Sequence, residues 1–555
     1  MVTDATLTSA STPSASLSSA ASSSLTSTLE GAIAARRLRH LSEIGLALSA
    51  ERDIRRLLMM ILSASRELTT SDGGTLYIVE KSPGGEKNLY FRAAQNDSIT
   101  VETGMSFAVS SSSLAGYAAM SGEILRFDDV YHLEESKPYK FNPKFDSDHG
   151  YRTKSVLIVP LKDHNGEVIG VLQLINRKRR RETLLLDVET VEEEVIPFDD
   201  EMRDLAETLA SQAAVALNNT LLLQEIEELF EALVVAASSA IEDRDPSTSG
   251  HSRRVTNLTL ALAQAVNETE NGPFSAAYFT PAQMKELRYA ALLHDFGKIG
   301  VRENVLIKSH KIEPGHFEAV QNRILTLRSQ WQNDAARAQL AIARDSNLPD
   351  PAKTVAFDAI ENETASRIAQ LDTDFKTVTA LNDPTMDPMP NEAWDEALQT
   401  LERLLQLSYT TPDGQTLPVL REEEHLALQV RRGTLTNDEF RQIQDHAQMS
   451  YEFLKQIPWT TPLEKVPIIA RSHHERSDGS GYPQGLTADE IPTGSKLMAI
   501  ADVYDALTAS DRPYKRAMTP ERAIQILGYE AQAGKIDPDA LKIFVEREIW
   551  KLAGE

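Results

Sequence analysis

Five histidines and two aspartates in the C-terminal half of the chain have donor atoms suited to divalent cations. They are His251 in Ser249-Gly-His-Ser-Arg-Arg-Val255, His294 and Asp295 in Leu292-Leu-His-Asp-Phe-Gly-Lys298, His446, the pair His473 and His474, and Asp502 in Ile500-Ala-Asp-Val-Tyr-Asp-Ala-Leu507. Imidazole and carboxylate without thiolate suit borderline or harder first-row ions, among them Fe, Mn, Co, Ni and Zn. A His-Asp dipeptide can direct two donors to one cluster, and its carboxylate can bridge two ions. A pair of such ions can clamp a phosphate during in-line displacement.

The elements that must position these donors read as nearly all helical from about residue 244 onward. Residues 309–432 read as an insertion between the second and third donor groups, where it could cap or gate a cleft. It is rich in Ala, Asp, Glu and Gln, with breaks at Asp383-Pro, Asp387-Pro and Met389-Pro. His310, His316 and His425 read as ordinary surface or core residues. Upstream, a helical pattern runs from about 29 to 68. Strand-like runs follow at Thr75–Val79, Asn88–Ala93, Ser155–Leu161 and Val168–Ile175, with Asp163-His-Asn-Gly166 as a hairpin signal between the last two. Helices flanking a strand-rich middle predict an α+β domain over 38–217.

Between the two regions lies a stripe of Val215, Asn219, Leu222, Ile226, Leu229, Leu233, Ala236 and Ala240, whose spacings alternate four and three. One seam along a helix predicts a two-stranded coiled coil, with 218–243 as the linker helix and Asn219 fixing its register. Residues 1–28, rich in Ser, Thr and Ala, read as a disordered tail.

Composition narrows the function. The 555 residues carry 57 Lys+Arg against 82 Asp+Glu, a formal charge of −25, and no cysteine. Disulfides, thiolate nucleophiles and sulfur-based metal sites are excluded. The acidic balance argues against DNA or RNA binding, which needs a basic surface. No apolar run is long enough to span a membrane, and the N-terminus lacks the pattern of a secretory signal, so the expected location is the cytoplasm without membrane insertion. The run Arg177–Arg181, followed by Glu189, Glu192, Glu193 and Glu194, reads as a solvated, internally balanced loop.

The segments His294–Gly300, His473–Leu486 and Ile500–Tyr514 closely resemble the HD-GYP branch of the HD superfamily. The resemblance covers about 244–308 and 433–545. It implies an all-α, bacterial, metal-dependent phosphodiesterase, over 244–555, that opens cyclic di-GMP to linear pGpG and on to GMP in some cases. Carried over by position, His251, His294, Asp295 and Asp502 would hold one metal; Asp295, His446, His473 and His474 would hold the second. Two divalent ions, Fe or Mn, are expected. Lys298 would stabilise phosphate charge. Gly481, Tyr482 and Pro483 would shape a guanine pocket, and Arg512 and Lys515 would meet phosphates. Ser247 stands where some members carry a Glu for a third metal, and Ala447 and Ser450 replace a usual Pro and Gly.

Gly150–Pro160 and Gly170–Asn176 resemble a GAF domain of the type attached to cyclic-nucleotide phosphodiesterases. Asn176, Arg177, Phe198, Asp200 and Glu201 approximate its Asn-Lys…Phe…Asp-Glu signature, with Arg in place of Lys. A cyclic nucleotide is one candidate GAF ligand; a structural GAF or a sensor of another ligand are the others. The whole reads as a multidomain signalling homodimer: an α+β GAF sensor, a coiled-coil helix and an HD-GYP metallohydrolase. Hydrolysis of another cyclic dinucleotide such as 3'3'-cGAMP, or a non-catalytic cyclic di-GMP receptor, are the alternatives.

Overall fold

The computed structural model describes residues 39–82, 84–101, 106–245, 250–383, 389–509 and 517–554. The tail 1–28, Ser247, Arg512 and Lys515 lie outside them. The chain divides into two compact units, Met1–Leu229 and Phe230–Glu555.

In the first unit, two helices replace the single one expected over 29–68. Helix α1 (39–50) stops and α2 (Ile54–Thr69) restarts, because the Asp53 side chain caps the backbone N–H of Arg56. Strands β1 (Ser71–Lys81) and β2 (Lys87–Asn96) follow, then β3 (Ser106–Ala108), α3 (Leu114–Ser121), β4 (Leu125–Phe127), α4 (Lys144–His149), β5 (Val156–Lys162), β6 (Val168–Lys178), α5 (Val188–Glu194) and β7 (Val195–Ile196). They form one antiparallel sheet of order β3-β2-β1-β6-β5-β4, with β7 also on β6. Both faces are covered, which is why Val156–Leu161 is a continuous buried run. On one face Leu57, Ile61 and Leu62 pack with Leu76, Leu172 and Leu174. On the other, Leu114 and Ala118 pack with Leu89, Val156 and Val171.

Arg177 and Lys178 are the last residues of β6, not part of a solvated loop. Lys178 is buried, and its ammonium lies 3.0 Å from carboxylate oxygens of both Asp72 and Asp97. Asn176 adopts φ 54°, which Asn tolerates, and its amide binds Arg152 O, Lys154 N and Tyr151 Oη. Arg177 pairs with Asp199 at 2.7 Å, whereas Asp200 pairs with Arg126. Phe198 is fully buried in the core and Glu201 is exposed.

Helix α6 (Asp200–Glu242) is a single 43-residue helix. Every position of the heptad stripe from Val215 to Ala240 is solvent-exposed, including Ile226 at 62% and Leu229 at 71%.

The second unit contains α7 (His251–Asn267), α8 (Pro281–Leu293), α9 (Glu303–Leu306), α10 (Pro314–Arg344), α11 (Asp350–Asn382), α12 (Asn391–Gln406), the hairpin β8–β9 (Ser408–Thr410, Thr416–Pro418), α13 (Glu422–Leu428), α14 (Asn437–Leu454), α15 (Val466–Arg471), α16 (Thr493–Thr508), α17 (Pro520–Gln532) and α18 (Pro538–Glu546). Leu258 and Leu262 of α7, Tyr289 of α8 and Leu497 and Ile500 of α16 share one core. Helices α10–α13 close around a separate core of Ile324, Val378, Leu401 and Leu428, so the insertion packs largely on itself. Among the described residues, no helix is long and apolar enough to cross a membrane.

Candidate metal centre

The helical core brings the seven donors together from five elements. His251 is the first residue of α7, and His294 and Asp295 end α8. His446 projects from α14, His473 and His474 form a 3-10 turn after α15, and Asp502 is buried in α16.

Three of the histidines are oriented by the same device. Nδ1 of His294, His446 and His473 donates to the carbonyl three residues back, Ala291 O at 2.8 Å, Ile443 O at 2.5 Å and Ala470 O at 2.6 Å. Nε2 is then a lone-pair donor, and in all three it is buried without a hydrogen-bond partner among the described residues. His251 is oriented differently. Its Nδ1 meets Asp505 Oδ2 at 2.7 Å, and Arg254 Nε holds the other Asp505 oxygen at 2.7 Å. His251 Nε2 therefore faces Asp502 Oδ1 at 3.2 Å and Asp295 Oδ2 at 3.8 Å. Ligand orientation through the second ring nitrogen is the usual support of a metal-binding His. Sequence reading passed over Asp505 and Arg254. The signal was available: each sits one helical turn beyond a singled-out residue, Asp502 and His251 respectively.

Ligand atoms of His446, His473 and His474 lie within 4.8 Å of one another, as do those of His251, His294 and Asp502. A third set, His294, Asp295 and His473, links the two. Asp295 touches both groups: its carboxylate is 3.3 Å from His446 Nε2 and 3.4 Å from His294 Nε2.

The electrostatics of the two carboxylates and of His473 and His474 favour cation binding, whereas His251 would have to give up a proton on binding it. Burial alone would push the Asp295 carboxyl up, but Lys298 and His294 outweigh it and hold it well below the usual carboxylate range. Asp502 is opposed by burial in the same way and is held low, chiefly by His251. Burial, followed by neighbouring histidines, pushes His473 down, and burial brings His474 to about 3, so both are held neutral, the form that can ligate a metal. Burial lowers His251 too, but hydrogen bonds to Asp502 and Asp505 prevail and raise it to about 9. Buried polar atoms are ordinarily hydrogen-bonded. Orphaned imidazole nitrogens converging with two ionised carboxylates, without sulfur, fit divalent first-row metals.

Lys298 lies on a 3-10 turn, Phe296–Gly300, that follows α8. Helix α14 crosses close to this turn. A Cβ on Gly297 would lie 1.9 Å from His446 O and 2.5 Å from Ser450 N. Ser450 Oγ accepts from Gly297 N and donates to His294 O, both at 2.7 Å. Lys298 Nζ reaches Asp295 at 2.9 Å and Asp245 at 3.4 Å. Arg244 donates to Ile299 O at 2.5 Å and Val301 O at 2.9 Å. Glu242, the last residue of α6, accepts from Gly250 N at 2.8 Å and Ser252 N at 2.6 Å, at the start of α7.

Gly481, Tyr482 and Pro483 form a loop beside His474. The Tyr482 ring centroid lies 4.7 Å from that of His474. Gly481 passes so close to its neighbours that a Cβ would meet Arg476 N at 2.3 Å. Glu475, another residue the sequence reading missed, accepts from Gln484 N at 2.7 Å and Leu486 N at 2.9 Å and closes the loop. Arg512 and Lys515 lie outside the described residues.

Residues 51–218 match the GAF-domain family, and residues 248–371 and 423–540 match HD-domain families. His251, His294 and Asp295 fall in the first HD match, and His446, His473, His474 and Asp502 in the second. The chain joins a GAF domain to an HD domain. Three curated relatives are similar to it. A probable cyclic di-GMP phosphodiesterase of Vibrio cholerae is 38% identical over 324 residues, 58% of this chain and 46% of the relative. The Xanthomonas campestris cyclic di-GMP phosphodiesterase response regulator RpfG is 41% identical over 110 residues, 20% of this chain and 28% of the relative. A 3'3'-cGAMP-specific phosphodiesterase of V. cholerae is 36% identical over 107 residues, 19% of this chain and 22% of the relative. The chain thus aligns with less than half the length of each of these relatives.

Proposed function

We propose that this GAF–HD chain is a metal-dependent phosphodiesterase that hydrolyses cyclic di-GMP to linear pGpG. The observation that carries the reading is the convergence of two donor groups on Asp295, with Lys298 at 2.9 Å. His251, His294, Asp295 and Asp502 would hold one ion, and Asp295, His446, His473 and His474 a second, Fe or Mn. Bound divalent ions supply Lewis-acid polarisation of the phosphodiester and make water a usable nucleophile at neutral pH. Asp295 fixes the spacing between the two donor groups, and Asp505 keeps His251 Nε2 turned inward. Lys298, held charged, stabilises negative charge that develops on a phosphoryl oxygen as the bond to the ribose 3' oxygen breaks. Gly481, Tyr482 and Pro483 line the guanine side, and Arg512 and Lys515 meet the phosphates.

Turnover of cyclic di-GMP and 3'3'-cGAMP by metal-loaded protein, followed by chromatography of the products, tests the reading. Preferred cleavage of the hybrid dinucleotide would move the assignment to the second substrate, as the name of one relative suggests. Binding without turnover by either would leave a receptor and refute the enzyme. In the same assay Lys298→Ala should keep its metal content and lose about 10²–10³-fold in kcat; unchanged kcat would remove Lys298 from the mechanism.

The exposed stripe on α6 supports a parallel homodimer through a coiled coil, in a protein of the cytoplasm whose GAF domain regulates the HD domain through a small ligand such as a cyclic nucleotide. Such regulation requires the ligand to bind two states of the chain with different affinity. Ile226→Lys with Leu229→Lys should convert a dimer to a monomer by light scattering; an unchanged mass would rule out the seam.

A further inference from the structure

A groove of about 1330 Å³ runs between the insertion and the first turn of α14. None of the seven metal-centre donors lines it. On its wall lies Lys311, only 8% exposed. No hydrogen bond or ion pair to the Lys311 ammonium is found among the described residues; its one neighbour of note is the Trp394 ring, 5.6 Å away. Burial without a counter-charge lowers its pKa. A buried, unpaired cation is costly, and a ring face offsets only part of the cost.

The cations around Lys311 add to the imbalance. Arg431 leans on the same indole at 5.9 Å and has only neutral partners, Asn391 Oδ1 and Met389 O. Arg432, exposed on the groove wall, has no ion pair among the described residues. Four of the groove's five carboxylates are already paired, two of them with cations of the groove itself. Glu439 is tied to Lys308 at 2.7 Å and Glu424 to Arg323 at 2.6 Å, while Asp438 and Glu423 face Arg441 and Arg421. Among the described residues Glu313, whose Oε1 is buried without a hydrogen-bond partner, is the one groove carboxylate that lacks a cation, against three cations without an anion. The lining itself carries as many basic as acidic side chains, so what distinguishes the groove is that three of its cations are left without an ion pair among the described residues.

We propose that this groove is an effector site that binds a small phosphorylated molecule through Lys311, Arg431 and Arg432. A phosphate group offers oxygens to several cations at once, and a guanidinium can take two of them. The bound group would supply the counter-charge that Lys311 lacks. It would also tie the insertion to α14, the helix that carries His446.

The test uses the full chain with inorganic phosphate and glycerol 3-phosphate as probes and citrate as the carboxylate control. Calorimetric titration should show saturable phosphate binding to the wild type. That binding should be at least about 30-fold weaker in Lys311→Met and about 10-fold weaker in Arg432→Gln, in keeping with the loss of charge-assisted hydrogen bonds. Arg432 is exposed, so its variant reports even where Lys311→Met fails to fold. In parallel, acylation of Lys311 by an amine-reactive reagent should slow at least about fivefold when phosphate is present, by simple occupancy of the site. Phosphate binding of equal strength in both variants would assign it to the metal centre and overturn the proposal. So would the absence of saturable binding by either probe, or unprotected Lys311. Tighter binding of citrate than of phosphate would overturn the phosphate assignment.

Discussion

Asp295→Ala should abolish the proposed cyclic di-GMP hydrolysis. Among the described residues no other member of the centre contacts both donor groups and the Lys298 ammonium together: the carboxylate lies 2.9 Å from Lys298, 3.3 Å from His446 and 3.4 Å from His294. Removing one preorganised charge-stabilising group from an active site typically costs about 10²–10³-fold. Asp295 serves two groups, so the loss should be on the order of 10⁴-fold or more in kcat, since effects of residues acting as a unit are far from independent. Metal content should fall with activity. The fold should survive, because the side chain packs into no hydrophobic cluster. Retention of metal-dependent turnover within tenfold of wild type would show that the centre is organised in another way.

Gly297→Ala should have the larger effect on stability. The added methyl would meet the backbone of α14, not a flexible side-chain end, with His446 O at 1.9 Å and Ser450 N at 2.5 Å. Either α14 moves away or the Phe296–Gly300 turn rotates, and Ser450 then loses one of its two 2.7 Å bonds. Overpacking of a close contact costs about 1–3 kcal/mol, and more when backbone must yield. We expect a melting temperature several degrees lower and, even in the folded fraction, weaker metal binding at the His446 group. Ser450→Ala is the natural companion: it removes the two bonds without the clash, and about 1–3 kcal/mol would be lost from the buried groups left unpaired. A Gly297→Ala protein as stable as wild type, with full metal content, would contradict the close approach.

How much of this could be read from the sequence depends on the range of the forces involved. The long strands β1, β2, β5 and β6 announce themselves through their own apolar runs. The helix stripe on α6 is likewise a local periodic signal. Strands β3, β4 and β7, with 3, 3 and 2 residues, have no such signature and exist through pairing with a longer neighbour. Lys178 looked like one member of a basic run because its partners, Asp72 and Asp97, lie 106 and 81 positions away. The donors of the metal centre were visible by residue type and surroundings. Their supports were less so: Asp505 and Arg254 gave only a one-turn spacing to Asp502 and His251, and Ser450 and Glu475 act through hydrogen bonds whose partners are decided by packing.

The end of α6 carries a mechanical implication. Glu242 grips the start of the helix that opens with His251, while Arg244 and Asp245 grip the turn that bears Lys298. Two pieces of chain that are remote in sequence thus hang from one anchor only four residues long. A displacement of that anchor cannot reach the proposed ligand His251 without also reaching the ammonium of Lys298. Ion capture and charge stabilisation are yoked, so the centre should lose or regain both together rather than pass through a state competent in only one.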